Sequence, residues 1–347
     1  MRGYKPETVI IETTARCNLN CIFCGSDCKN AKNPKELSIE EWEVLVDNLA
    51  ELGTKRIVLS GGEPTLKENV GELMRHISSK KLQWGMVSNG FNFSLRLLEV
   101  MAAHKPYALG LSIDGIKETH NKLRGNSQSF QRIVVSINEL QKREIPLSVN
   151  TTIHKLNYRE LPLIAKFILE NKIFGWQIQL AMPFGRMKDK QNLLLSQEEF
   201  LWICLFVEKI RKLMPFVNIA AADCFAWAPT GKIRDGKWSG CGGGIRSLGI
   251  DALGNVRGCL SMAECPPEGS IRERKIADIW QDRSLFSYNR QFSSDNASEF
   301  CAKCKKILIC KGGCSSQSFS MSGKFHQGVY CWYKTRKGDK ENEKRGV

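Results

Sequence analysis

Cys17, Cys21 and Cys24 follow one another as C-x3-C-x2-C, with Phe23 before the last, and this spacing commits the segment to a loop whose thiols serve one centre. Structural zinc sites draw C-x2-4-C pairs from two separate loops and close the coordination sphere with four ligands. A compact triplet fits that pattern poorly. A cubane [4Fe–4S] cluster is caged by four cysteines when fully ligated. Three thiolates therefore leave one of its irons open to another molecule.

The C-terminal half holds a second set. Cys241 is followed by twelve residues, Gly254, four residues and Cys259, then by Cys301-x2-Cys304-x5-Cys310-x3-Cys314 and, after a gap, Cys331. The stretch GIDALGNVRGC reads as a two-strand hairpin with Gly-Asn at the turn. Taken alone, C-x2-C-x5-C-x3-C is also a zinc-knuckle spacing, and the triplet on the same chain favours iron. Four of the fourteen cysteines fall outside both patterns: Cys28, Cys204, Cys224 and Cys265. Cys204, in the apolar run FLWICLFVEKI, reads as a core thiol. Cys28 reads as a bystander of the first loop.

At 347 residues the chain suits one barrel plus a smaller domain. MRGYKPET lacks the apolar core of a signal peptide, and no run approaches the roughly 18 apolar residues of a membrane span. Reduced, metal-bound thiols in the cytoplasm are the expectation. The formal charge is +15. Three thiolate-ligated clusters would lower it to roughly +10, which still favours an anionic partner. Lys and Arg form no stripe interleaved with aromatics, so nucleic acid is not favoured. Part of the excess lies in a basic tail, 336–347.

Six β-rich runs alternate with helical patterns: TVIIET, KRIVLS, WGMVS, ALGLSI, LSVNTTI and WQIQLAM. Such alternation is the mark of parallel βα units. Between the first two runs, Ser38 and Glu41 make a capping-box pattern before a helix whose Ile39, Trp42, Leu45, Val46, Leu49 and Leu52 share one face. Six units are too few for a closed eight-fold barrel. The expected fold is α/β: a partial (β/α)6 TIM-like barrel over 1–190, a helical bridge over 191–238, a cysteine-rich domain over 239–335 and the tail. Active sites of such barrels lie at the C-terminal ends of the strands.

ARCNLNCIFC resembles the cluster loop of the radical S-adenosylmethionine (SAM) enzymes, and Gly61-Gly62-Glu63-Pro64 resembles their GGEP motif. The later cysteines resemble the SPASM extension of that superfamily, which carries two auxiliary [4Fe–4S] clusters. The resemblance implies that SAM chelates the open iron and is cleaved to a 5′-deoxyadenosyl radical that abstracts hydrogen from a substrate. It implies that Cys301, Cys304, Cys310 and Cys331 ligate the second auxiliary cluster. Cys241, Cys259 and Cys314 would supply three ligands of the first, with Cys224 and Cys265 as candidates for the fourth or for a hydrogen-atom donor. Around SAM it implies the Gly61–Pro64 backbone with Glu63 at the ammonium, Ser112 at the ribose, Asp114 as loop organiser and Asn89 nearby. Arg124 is the candidate for the SAM carboxylate, Asn150 faces the mouth with Thr152, and Leu180 and Met182 form an adenine wall.

For function, the resemblance implies oxidative modification of a substrate, foremost a ribosomally made peptide undergoing crosslinking, with flavodoxin or ferredoxin as electron donor. The alternatives are an aminoglycoside-type epimerase or dehydrogenase and a tetrapyrrole-tailoring enzyme. Sulfatase-maturing relatives place an acidic base directly after the cysteine matching Cys259. Leu260 stands there, which argues against formylglycine formation.

Overall fold

The structure is a computed structural model that describes residues 4–28, 35–226 and 239–335. Residues 227–238, the end of the expected helical bridge, and all of the basic tail 336–347 lie outside these residues.

The six runs form β1 (Thr8–Glu12), β2 (Arg56–Ser60), β3 (Gln83–Ser88), β4 (Ala108–Ser112), β5 (Leu147–Ile153) and β6 (Gly175–Leu180), paired parallel in sequence order. Helices α1 (Ile39–Glu51), α2 (Val70–Ser79), α3 (Leu95–Ala103), α4 (Lys117–Arg124), α5 (Ser129–Gln141) and α6 (Leu161–Glu170) connect them. The capping box is made: Glu41 N donates to Ser38 Oγ at 3.2 Å and Ser38 N donates to Glu41 Oε2 at 2.8 Å. Two of the four orphan amides of α1 and its cap are thereby satisfied where the helix must start.

Alternation along the strands sorts two faces. Val9, Ile11, Ile57, Leu59, Val149 and Ile178 are buried in one core with Trp42, Leu45, Leu49, Leu73 and Ile77 of the helices. The opposite face carries Glu12, Val58, Ser60, Asn150, Thr152, Gln177 and Gln179, all half-buried. This second face is the lumen of the partial barrel. Gly110 makes room there, because a Cβ would sit 2.8 Å from Asn150 Nδ2.

The run read as a bridge is a seventh unit. Helix α7 (Gln197–Leu213) buries Phe200, Ile203, Cys204 and Val207 and crosses over to β7 (Asn218–Ala221), parallel to β6. The short sequence NIAA carries one β-branched residue, too weak a strand signal to separate by pattern. Cys204 is the core thiol expected.

The hairpin is also present. β8 (Ser247–Ile250) pairs antiparallel with β9 (Asn255–Arg257), which pairs with β10 (Gly269–Ser270). Asn255 already belongs to β9, and the turn is Asp251–Gly254, closed by Leu253 N and Asn255 N donating to Asp251 Oδ1 at 3.0 Å. Gly254 has φ +91°, a left-handed conformation that suits glycine. β8 lies parallel beside β1, so one ten-stranded sheet runs through both parts of the chain. Helix α8 (Ile276–Gln281) buries Ile276, Ile279 and Trp280 and closes this end; Trp280 Nε1 donates to Tyr4 O at 2.9 Å.

Among the described residues, no helix is long and apolar enough to cross a membrane. The two faces of β2 give a direct check. Leu59→Ala should cost about 2–5 kcal/mol in denaturant unfolding, whereas Val58→Ala, on the lumen side, should cost less than half as much. Equal losses would refute the assignment of faces.

Candidate functional site

The triplet loop leaves β1 and is clamped on both sides. Upstream, Thr13 N donates to Ser60 O, Gly62 N to Thr14 O and Glu63 N to Arg16 O, at 2.8–2.9 Å. Downstream, Asn20 N and Ile22 N donate to the carbonyls of Arg124 and Leu123 at the end of α4. The upstream clamp requires glycine. Gly61 has φ +141°, and a Cβ on it would stand 2.4 Å from Thr14 O; one on Gly62 would stand 2.1 Å from Arg16 O. These glycines admit the loop backbone itself.

Glu63 is turned inward. It is 1 % exposed, and its carboxylate accepts from Ser88 Oγ, Asn89 N and Thr65 Oγ1, each at 2.8 Å. Burial pushes its pKa up while these donors oppose the shift. Its carboxylate pins the GGEP ledge to the end of β3. Pro64 opens a single 3-10 turn, Pro64–Leu66. Asn89 continues the same tie, with Nδ2 donating to Asn18 Oδ1 at 2.8 Å.

Arg124 is tied inward in the same way. Its side chain is buried, with Nε 2.7 Å from Asp114 Oδ2 and Nη2 on the same oxygen. Nη1 lies 3.6 Å from Cys21 Sγ, and the guanidinium stacks 5.3 Å from the Phe23 ring. Its donors thus go to Asp114 and the triplet loop. Asp114, wholly buried, also accepts from Thr152 N at 2.7 Å. It joins β4, β5 and α4. Ser112 ends β4 beside Asn150 in the strand register. Leu180 and Met182 are buried at the end of β6.

The thiols fall into three groups, each with backbone N–H groups aimed at sulfur. Cys17 receives Leu19 N–H, and Cys24 receives those of Asp27 and Cys28. In the second set Lys306 N donates to Cys304 Sγ at 3.5 Å, and the backbone amides of Tyr333 and Lys334 near Cys331 and of Gln317 near Cys314 favour thiolate. Such donors stabilise thiolate and set the potential of a bound cluster. Cys301, Cys304, Cys310 and Cys331 act electrostatically on one another as one group, and Cys314 is acted on by Cys241, Cys224 and Cys259. Among the described residues, no three ligands converge tightly enough for a single ion. Thiols around a cubane stand farther apart than ligands of one metal, and an all-sulfur donor set suits iron–sulfur chemistry.

Cys28 is no bystander. Its thiol donates to Cys24, which this bond holds down to about 5 against burial, while Cys28 itself is pushed strongly upward. Cys265 lines a cavity of about 270 Å³ with Arg257, Met262, Glu268, Tyr288 and Phe319. Among the described residues, the Tyr288 hydroxyl and Arg257 Nε are buried there without a hydrogen-bond partner.

Two further residues at strand ends escaped the sequence reading. Glu12, last in β1, accepts from Ser26 Oγ at 2.8 Å. Burial lifts its pKa to about 7 against that bond. Its position at a C-terminal strand end was the available signal. His154, just past β5, packs 5.4 Å from Phe23 and accepts Leu156 N–H on Nδ1 at 3.2 Å. Burial lowers its pKa to about 4, leaving it neutral with Nε2–H buried and without a partner among the described residues. No motif marks it.

Two outcomes follow from this geometry. Asp114→Ala strands the Arg124 charge in the interior and should cost about 3–5 kcal/mol in chemical unfolding, several times the effect of Arg124→Ala combined with Asp114→Ala relative to either single change. Glu12 is an acid whose folded pKa exceeds its unfolded value, so its contribution turns unfavourable as pH rises from about 4.5 through about 7. Glu12→Gln should therefore stabilise the metal-free protein at pH 8 and be neutral near pH 4, read by unfolding curves at both.

A family model for the radical SAM superfamily matches residues 11–168, and one for an iron-sulfur cluster-binding (SPASM) domain matches residues 241–305. The AdoMet-dependent heme synthase of Methanosarcina barkeri is 25 % identical over 346 residues, spanning 96 % of this chain and 98 % of that protein. The PqqA peptide cyclase of Bradyrhizobium diazoefficiens is 25 % identical over 326 residues, 92 % of this chain and 83 % of its own. SuiB of Streptococcus suis, solved with S-adenosylmethionine, shares the fold with a TM-score of 0.74 at 18 % identity, over 90 % of this chain and 74 % of that one. With the clamped triplet and the SPASM cysteines in place, the chain belongs to the radical SAM superfamily and is a SAM- and [4Fe–4S]-dependent enzyme with a SPASM domain.

Proposed function

We propose that this enzyme oxidatively modifies a peptide, with one cluster at Cys17, Cys21 and Cys24 and two in the SPASM domain. When bound, the first cluster and SAM supply one-electron reductive cleavage of SAM and with it the means to abstract a hydrogen atom. The chain's own residues do the rest. The Gly61–Gly62 ledge, Ser112, Asn150, Leu180 and Met182 border the place for SAM. Asp114 and Arg124 hold the triplet loop in register with it.

The character of the lumen carries the choice of substrate. Asn150, Gln177 and Gln179 present carboxamides, with Gln179 Nε2 donating to Thr152 Oγ1 at 2.8 Å. Carboxamides donate and accept, as a peptide backbone does. Three cations around the cysteine loop and the hairpin are paired with acids, Arg124 with Asp114, Arg186 with Asp27 and Arg257 with Asp251, whereas Arg16 and Lys190 donate to the carbonyls of Leu66 and Ile22. A tetrapyrrole with its several carboxylates calls for unpaired cations. That second reading is favoured by the end-to-end match to the heme synthase. The basic balance of the chain, +15, suits an acidic peptide and an acidic electron-donor protein of the flavodoxin or ferredoxin kind.

The deciding experiment uses the anaerobically reconstituted full chain with SAM and dithionite, offered acidic peptides or iron-coproporphyrin, and follows 5′-deoxyadenosine and product mass. Peptide-dependent turnover with a product two hydrogens lighter is expected. Turnover with the porphyrin alone, with loss of carboxyl groups, would replace this reading by the second. Unchanged mass with deuterium taken up from solvent would indicate epimerisation.

A further inference from the structure

We propose that Cys224 is the fourth thiol of the first auxiliary centre, closing it with Cys241, Cys259 and Cys314. The inference rests on the auxiliary-cluster reading of the SPASM domain and is independent of the substrate.

Cys224 lies in the 3-10 turn Asp223–Phe225, directly after β7 at the C-terminal end of the barrel. Two contacts bring that turn to Cys314. Cys314 is the N-cap of the helix Ser315–Ser322, and Gln317 in its first turn, wholly buried, donates Nε2 to Cys224 O. The Gln317 Oε1 accepts from Tyr330 N at 3.3 Å, so its amide is fixed at both ends. Gly313, next to Cys314, packs so closely on the same turn that a Cβ would stand 3.1 Å from Ala226 Cβ. Leu180 N donates to Cys224 Sγ at 3.3 Å, as Lys306 N donates to Cys304 Sγ at 3.5 Å in the second set. In keeping with this, the thiols whose charges reach Cys314 are Cys241, Cys224 and Cys259.

The rival is Cys265. It sits at the cavity beside Tyr288, and the charged groups acting on it are Arg257, Glu264 and Glu268, none a thiol. A cage of four thiols offers no iron to a substrate. The centre would then move electrons without binding substrate, and its fourth ligand comes from the barrel, with a sulfur held by the same Leu180 that borders SAM.

The test uses the full chain carrying Cys17→Ala, Cys21→Ala and Cys24→Ala together, so that every cluster signal belongs to the SPASM domain. Iron content and the electron paramagnetic resonance (EPR) of the reduced protein are read with and without cyanide, a ligand for an open iron. The parent should bind about eight irons as two cubanes and ignore cyanide. Adding Cys224→Ala should either make one of the two signals cyanide-sensitive or remove about four irons, the other signal persisting as an internal control. Cys224→Ser, which keeps a ligand atom in place, should retain iron and shift one signal. Cys265→Ala should match the parent. A parent that already binds cyanide at an auxiliary centre overturns the proposal, as does a Cys224→Ala protein indistinguishable from it. Changes confined to Cys265→Ala transfer the role to that residue. A parent with no auxiliary signal at all overturns the cluster reading beneath it.

Discussion

Asp114 and Arg124 carry opposite charges into a region that water scarcely reaches, and the site is assembled around them. Taking either ion out of water alone would cost several kcal/mol. Their two-point contact, together with Thr152 N on the second carboxylate oxygen, compensates for that loss. The pair brings β4, β5 and α4 to one spot. From there the last guanidinium nitrogen and the Phe23 contact reach the cysteine loop. A hydrophobic pair could pack as well, yet it could not both accept an amide from β5 and direct a positive charge at Cys21.

The cysteine sites add a second level of order. A thiol buried in protein resists ionisation, and burial raises Cys17, Cys21, Cys310 and Cys331 accordingly. Backbone amides near Cys17 and Cys331 work in the other direction, as a cluster needs its ligands to be thiolates. The amides offset only part of the burial cost, and the net shift of these thiols stays upward. Cys28 extends that provision to Cys24, the third member of the triplet.

Much of this was legible in the sequence because strand alternation, the capping box and cysteine spacing are local signals. All six expected strands pair in the expected order, and the Cys241–Cys259 stretch does form a hairpin. What sequence could not convey was the direction in which side chains turn. Glu63 and Arg124 are matched to a ligand by motif, and in the fold their polar atoms meet Ser88, Asn89, Thr65, Asp114 and Cys21. β7 was missed because four weakly β-forming residues give no periodicity. Cys28, Glu12 and His154 matter through neighbours distant in sequence, which no spacing rule encodes.

The hydrogen-bonded pairing of β8 with β1 has a consequence for how this chain can be divided. Where the family models suggest two modules, the backbone makes one sheet, and the later module supplies the neighbour of the first strand. A barrel cut free after β7 would leave β1 as a bare edge, its amides and carbonyls facing solvent beside the cysteine loop. Unprotected edges recruit other strands and aggregate. The SPASM domain thus serves as a built-in edge guard for the barrel, and evolution could not shuffle it away without supplying another cover.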